Sequence, residues 1–186
     1  MLNSRMFAYA VLLFAFSASA QSKAPANTAA VPDSTAAAPG CGDPSAKFEV
    51  KTAKGQHAAK PDATNATLYF IEDDTDFGSF PKPTTRVGLD GGWAGATHGN
   101  SYLSLSVPPG VHHLCASWQT RVILYKDVQS AAAHFTAEPG GVYYFKVKNN
   151  FWREQSAVDI SLLPLDSDEG QLMLSKFAYA TSQPKK

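Results

Sequence analysis

Charge is scarce in this chain. Sixteen Lys and Arg balance sixteen Asp and Glu, and charged residues make up only 17% of the 186. No basic excess exists to neutralise phosphates, so a nucleic-acid partner held by charge is excluded. A formal net charge of zero also gives little electrostatic protection against self-association. Cysteine is scarcer still: Cys41 and Cys115 are the whole supply. Their spacing carries no zinc signature. Long apolar runs are nearly absent. Met6 to Phe16 is shorter than the roughly 20 apolar residues a membrane span needs, so no stable span is expected in the chain once that run is removed.

That run has another meaning. Arg5 precedes it as a positive n-region, and Ala18-Ser19-Ala20 follows it as a small-x-small cleavage site. Residues 1–20 are therefore expected to be a secretory signal peptide, with the mature chain starting at Gln21. Residues 21–40 are Ala, Pro, Ser and Thr with almost no large apolar side chain. Such a segment buries too little surface to offset its ordering entropy and is expected to be a disordered tether.

From Lys47 the pattern becomes β. Phe48 and Val50 alternate with charged residues, and Ala66 to Glu72 is apolar on both faces, as in a central, doubly covered strand. Asp90-Gly91 between apolar runs signals a type I′ hairpin. Ser101 to Trp118 carries two alternating runs about Pro108-Pro109-Gly110, expected to form a central hairpin. Leu103, Leu105 and Val107 share one face of the first run. Leu114, Ala116 and Trp118 share a face of the second with His112. The pattern echoes at Glu138-Pro139-Gly140, where Tyr143, Phe145 and Val147 form the apolar face and Tyr144, Lys146 and Lys148 face out. Short strands are also expected at 122–125 and 158–162.

Asp166, with Glu169 three residues later, has the form of a capping box that opens a short helix. Leu172, Leu174 and Phe177 would supply its buried side, and Gly170 weakens it. Residues 181–186 are expected to fray. The fold expected is all-β: a small antiparallel β-sandwich over residues 41–180 with one short C-terminal helix. In an exported chain, Cys41 and Cys115 suggest one disulfide closing a loop of about 75 residues, worth roughly 4 kcal/mol on the chain-entropy model. A buried free thiol at Cys115 and a metal pair are the alternatives.

The order of these motifs carries a resemblance. A-T-L-Y-F-I, V-G-L-D-G-G-W, G-N-S-Y-L-S-L-S-V-P-P-G-V-H-H-L, E-P-G-G-V-Y-Y-F-K-V and L-L-P-L-D-S-D-E-G-Q-L follow one another between Ala66 and Phe177. This succession resembles the bacterial exported family catalogued as domain of unknown function 2846. The resemblance implies a sandwich similar to transthyretin-like or carboxypeptidase regulatory modules, in a periplasmic or extracellular setting. It implies no catalytic residues. Unlike lipoprotein members of that family, this chain has no signal cysteine.

Candidate chemistry is thin. Glu72, Asp73, Asp74 and Asp76 cluster as calcium ligands do, but without the ligand spacing of a calcium-binding loop. A solvated loop, with Phe77 and Phe80 over a core edge, is the plainer reading. His112 and His113 point to opposite faces of one strand, so a zinc ion cannot easily take both. A site from His98, His113 and His134 would require three strands to converge, and His57 stands alone in a loop. Ser104 or Ser106 with a histidine and Asp90 lacks a nucleophile elbow. Trp93, Tyr102, Trp118, Tyr125, Tyr144, Phe151 and Trp152 could floor a glycan or peptide site, with Trp93, Phe151 and Trp152 the candidate binding surface. No cofactor and no metal are assigned. The expected function is a non-enzymatic exported module that binds an envelope protein or glycan. The alternative is a metal-dependent or hydrolytic enzyme using strand-borne histidines.

Overall fold

The computed structural model describes residues 41–55, 62–119, 128–152 and 157–186. The expected signal peptide and tether, His57, Tyr125 and the expected strand at 122–125 lie outside these. In order, the elements are β1 (Phe48–Ala53), β2 (Ala66–Asp73), a 3-10 turn (Thr75–Phe77), β3 (Thr84–Leu89), β4 (Gly92–His98), β5 (Ser101–Val107), β6 (Gly110–Trp118), β7 (Ser130–Ala137), β8 (Val142–Trp152), β9 (Ala157–Leu165), α1 (Ser167–Lys176) and β10 (Ala178–Pro184). One sheet has the order β1-β10-β5-β2-β8-β9 and the other β4-β3-β6-β7. The protein is thus an all-β sandwich with a short C-terminal helix.

The core between the sheets follows from alternation. Leu68 and Phe70 of β2, Leu103 and Val107 of β5, and Phe145 and Val147 of β8 face Val87 of β3 and Leu114, Ala116 and Trp118 of β6. β2 is central and buried on both faces, as its double apolar pattern requires. Its other face meets the helix. Tyr69, Ile71, Tyr102 and Tyr144 form a second cluster against Met173, Leu174 and Phe177. Asp166 caps α1, its Oδ1 accepting from the Glu169 N–H at 2.8 Å.

The two Pro-Gly units are not hairpins. β5 lies in the six-stranded sheet and β6 in the other; β7 and β8 are divided the same way. Each turn carries the chain across the sandwich rather than back along one sheet. Gly110, with φ 138°, makes one crossing in a conformation that L side chains rarely adopt. The true tight hairpin is at Asp90-Gly91, both with positive φ, joining β3 to β4. The sheets are mostly antiparallel, but β2 pairs with β8 and β10 with β5 in parallel.

Further corrections concern the C-terminal part. The end does not fray at 181: β10 runs to Pro184 and pairs along all of β1, from Ala53↔Tyr179 to Phe48↔Pro184. Leu172 is exposed, and Met173 takes its place on the buried side. Tyr144 is on the outer face yet buried, because α1 covers it. Gly170 is what permits this cover: a Cβ there would fall 2.4 Å from Tyr144 Cγ.

Candidate functional site

β2 and β8 run in parallel with Phe70 opposite Phe145 and Glu72 opposite Val147. Their inward rows continue past the apolar core into polar residues at one end of the sandwich. Glu72 and Asp74 extend the row of β2 and its exit; Asn149 extends that of β8. Thr85 and Thr97 close the space from β3 and β4. All five are fully buried.

Trp118 sets the orientation of this group. Its indole N–H can only donate, and it gives its hydrogen to Asn149 Oδ1 at 2.8 Å. The Asn149 amide NH2 must then point the other way, where it donates to Glu72 Oε1 at 2.9 Å and Asp74 Oδ1 at 2.6 Å. Thr85 Oγ1 donates to Glu72 Oε1 at 2.5 Å. Glu72 Oε2 and Asp74 Oδ2 are buried without a hydrogen-bond partner among the described residues. Burial, reinforced by the charge of Asp74, pushes the Glu72 carboxyl well above the usual range. Burial also raises Asp74, to about 6, against the opposing pull of Asn149, Lys82 and His98. A carboxyl that keeps its proton costs far less in a dry interior than a carboxylate.

The acidic run is therefore not one cluster. Asp73 and Asp76 lie outward, each 3.2 Å from Lys148 Nζ. Burial acts to raise Asp73, but the hydrogen bonds from Thr75 and the charge of Lys148 hold its carboxyl below the ordinary value. Alternation sends Glu72 and Asp73 of β2 to opposite sides, and likewise Lys148 and Asn149 of β8, while the 3-10 turn that follows β2 brings Asp76 to the Lys148 side. Neither the calcium arrangement nor a fully solvated loop describes the result. Among the described residues, no group of three or more His, Cys, Asp or Glu side chains is placed to hold a metal ion.

Aromatic residues cover the same end. Phe77, buried in the 3-10 turn, stacks on Phe151 with ring centroids 5.4 Å apart, and Phe80 tilts against Phe151 at 5.2 Å. Phe80 is 40% exposed and Trp152 44%. Of the three surface aromatics expected from the sequence, Phe151 and Trp152 are here. Trp93 is not. Its Nε1 donates to Asp43 O at 2.7 Å, and its ring lies 4.4 Å from Arg86 Cζ, so it fastens the start of the domain. Trp118, Tyr102 and Tyr144 are interior residues.

A second set of ionisable groups serves the four-stranded sheet and its ends. Arg86 is buried and donates to Pro44 O at 2.8 Å and Ala46 O at 3.0 Å through Nη1, and to Trp118 O at 3.2 Å through Nη2. Burial holds its pKa below the ordinary arginine value, with Asp43 opposing. Cys41 and Cys115 form a disulfide, Cα atoms 5.6 Å apart, so residues 41–46 are fixed to β6 and β3 by both a covalent and a polar clamp.

His112 Nδ1 is 2.7 Å from Asp90 Oδ2, and its Nε2 is 2.7 Å from Pro108 O. Both facing groups are acceptors, so both ring nitrogens must donate, which defines an imidazolium. Burial opposes that charge, but Asp90 and the Pro108 carbonyl overcome it and raise the His112 pKa. In return Asp90 is held low: partial burial acts upward and is outweighed by His112 and the His113 N–H. Asp90 is thus engaged across the crossing turn, while Ser104 and Ser106 lie on β5 in the opposite sheet. His98 Nδ1 is 2.9 Å from Pro83 O, away from the other histidines' strands. His113 and His134 are direct cross-strand partners.

Asn149, Arg86 and Phe80 carry weight that the sequence reading did not give them. A signal for Asn149 was present: it continues the i, i+2, i+4 row of Phe145 and Val147. No family model, curated protein or solved structure matches this chain. Among the described residues no helix is long and apolar enough to cross a membrane.

Proposed function

We propose that this chain is an exported, non-catalytic β-sandwich module that binds an envelope glycan or protein through the aromatic end formed by Phe80, Phe151 and Trp152. The observation that carries this reading is the exposure of Phe80 where it packs on Phe151, on a base anchored by Phe77, with Trp152, also exposed, the next residue of β8 on the opposite face of the strand. Flat apolar side chains held on a rigid base suit stacking against sugar faces or aromatic and apolar peptide side chains. Lys148, Asp73 and Asp76 beside them offer both signs of charge for polar contacts at the rim.

The Glu72–Asp74–Asn149 group supports the base from below. It fixes the exit of β2 and the end of β8, the two segments that carry the aromatics. The disulfide agrees with an oxidising compartment. The motif order that resembles the exported family of unknown function belongs to the same proposal.

The competing reading, a metal-dependent or hydrolytic enzyme, draws on His113 and His134 standing side by side. The two separate cleanly. Phe80→Ala with Trp152→Ala should abolish retention on immobilised bacterial cell-wall glycan and envelope protein fractions, with the melting temperature unchanged. Retention by this double variant equal to that of the parent would refute the aromatic-end reading. Hydrolytic turnover lost on replacing His113 would establish the enzyme instead.

A further inference from the structure

β6 and β7 pair antiparallel with His113 directly opposite His134. The neighbours on each strand establish which way the two rings point. On β6, His112 and Leu114 are inward, so His113 and Cys115 are outward. On β7, Phe135 packs inward against His112, Tyr143 and Phe145, so His134 is outward. His134 is exposed and His113 half-buried, on a sheet face without a helix over it among the described residues.

Directly opposed residues of an antiparallel pair have Cβ atoms roughly 4.5–5.5 Å apart. At that spacing two imidazoles can reach a common ion at about 2.0–2.1 Å from each nitrogen. Next along the ladder are Cys115 opposite Ala132 and Val111 opposite Thr136. Cys115 is committed to the disulfide and supplies no thiolate. Ala132 adds no bulk beside the pair. The backbone of His113 is further held by Asp90, whose Oδ1 accepts from the His113 N–H at 2.8 Å and whose carboxylate places negative charge near the ring.

We propose that His113 and His134 form a two-histidine surface site for a borderline divalent transition-metal ion, with Cu(II) bound more tightly than Ni(II) or Zn(II). Imidazole ligation suits all three ions, and the order follows the general stability series. The two side chains leave the remaining coordination positions to water or to a donor from outside. The ion is therefore exchangeable, unlike a closed four-ligand structural zinc. This site is independent of the aromatic end and stands whether or not that end binds a ligand.

The test is calorimetric titration of the untagged full-length mature chain with Cu(II) and with Zn(II) in mildly alkaline buffer, because metal ligation is in competition with protons. The expected result is one ion per chain, with Cu(II) the tighter. His113→Ala and His134→Ala should each weaken Cu(II) binding at least tenfold. His98→Ala should leave it unchanged. Saturating Cu(II) should raise the melting temperature of the parent but not of either variant. Affinity retained in both variants, or no saturable binding by the parent, overturns the proposal. Because the two histidines are on the surface, a melting temperature measured without metal separates lost ligation from lost folding.

Discussion

The indole N–H of Trp118 and the side-chain oxygen of Asn149 meet at 2.8 Å inside the sandwich, one from each sheet. That bond turns the Asn149 amide hydrogens toward Glu72 and Asp74 and so determines how two acids can be buried together. Asn149→Leu preserves approximate volume but leaves the Trp118 indole and the Asp74 carboxyl without their side-chain partner, and Glu72 with Thr85 alone. Each abandoned buried polar group costs about 1–3 kcal/mol, so a loss of at least about 2 kcal/mol is expected in urea unfolding. A loss below 1 kcal/mol would show that the amide is not what holds the acids.

The buried acids also predict a pH dependence. Their folded pKa values lie above the ordinary carboxyl range, so between pH about 4 and about 6 the folded state holds more protons than the unfolded chain. Their contribution to stability is present at low pH and falls as pH rises through that window. His112, also raised, acts in the same direction at higher pH: its contribution is complete below the ordinary histidine pKa and is lost as pH rises through the folded value. Asp73 and Asp90, held low, lose their contributions as pH falls through their folded values. Stability should therefore peak on the acid side of neutrality. Asp74→Asn should flatten the decline between pH 4 and 6, and chemical denaturation across that range measures it.

Gly170 gives a prediction opposite in sign to helix propensity. Alanine is favoured over glycine inside a helix by about 1 kcal/mol. Here the new Cβ would fall within 2.4 Å of the Tyr144 ring. Overpacking of this kind costs about 1–3 kcal/mol, so Gly170→Ala should be destabilising overall. Leu172→Ala, at an exposed position on the same helix, should change stability by under about 0.5 kcal/mol.

The clamp at the start of the domain is covalent and polar at once. Cys41→Ser with Cys115→Ser opens a loop of sequence separation 74, for which the chain-entropy model gives a loss of about 4 kcal/mol. Arg86 and Trp93 should still hold residues 43–46 in place. The double variant should accordingly stay folded at low temperature, with a lower denaturation midpoint and the parent's far-ultraviolet circular dichroism.

Much of the core was legible because strand alternation has a fixed period. Leu103, Leu105 and Val107, and likewise Phe145 and Val147, face where the pattern of two puts them. The Asp90-Gly91 hairpin and the Asp166 cap were legible because their chemistry is local. Sheet membership was not. A Pro-Gly turn that reverses a chain within one sheet and one that carries it to the next sheet use the same residues, so β5 and β6 looked like one hairpin. β10 escaped notice because Ala178 to Pro184 has few large apolar residues, and its partner β1 is more than a hundred residues earlier in the chain. In the candidate site, Phe151 and Trp152 were visible as exposed aromatics, while Trp93 was claimed by Asp43 and Arg86 through tertiary contacts that no local pattern encodes. Glu72 and Asp74 looked solvated because acidic residues normally are; only the continuation of their strand row placed them inside.

The most direct test of the aromatic end is a backbone amide NMR titration of the mature chain with soluble peptidoglycan fragments and, separately, with a purified envelope protein recovered on the immobilised domain. Shift changes that saturate and cluster at residues 75–80 and 148–152 are the predicted result. Saturable changes centred instead on the outer face of the four-stranded sheet, around Trp93, Cys115 and His134, would contradict it.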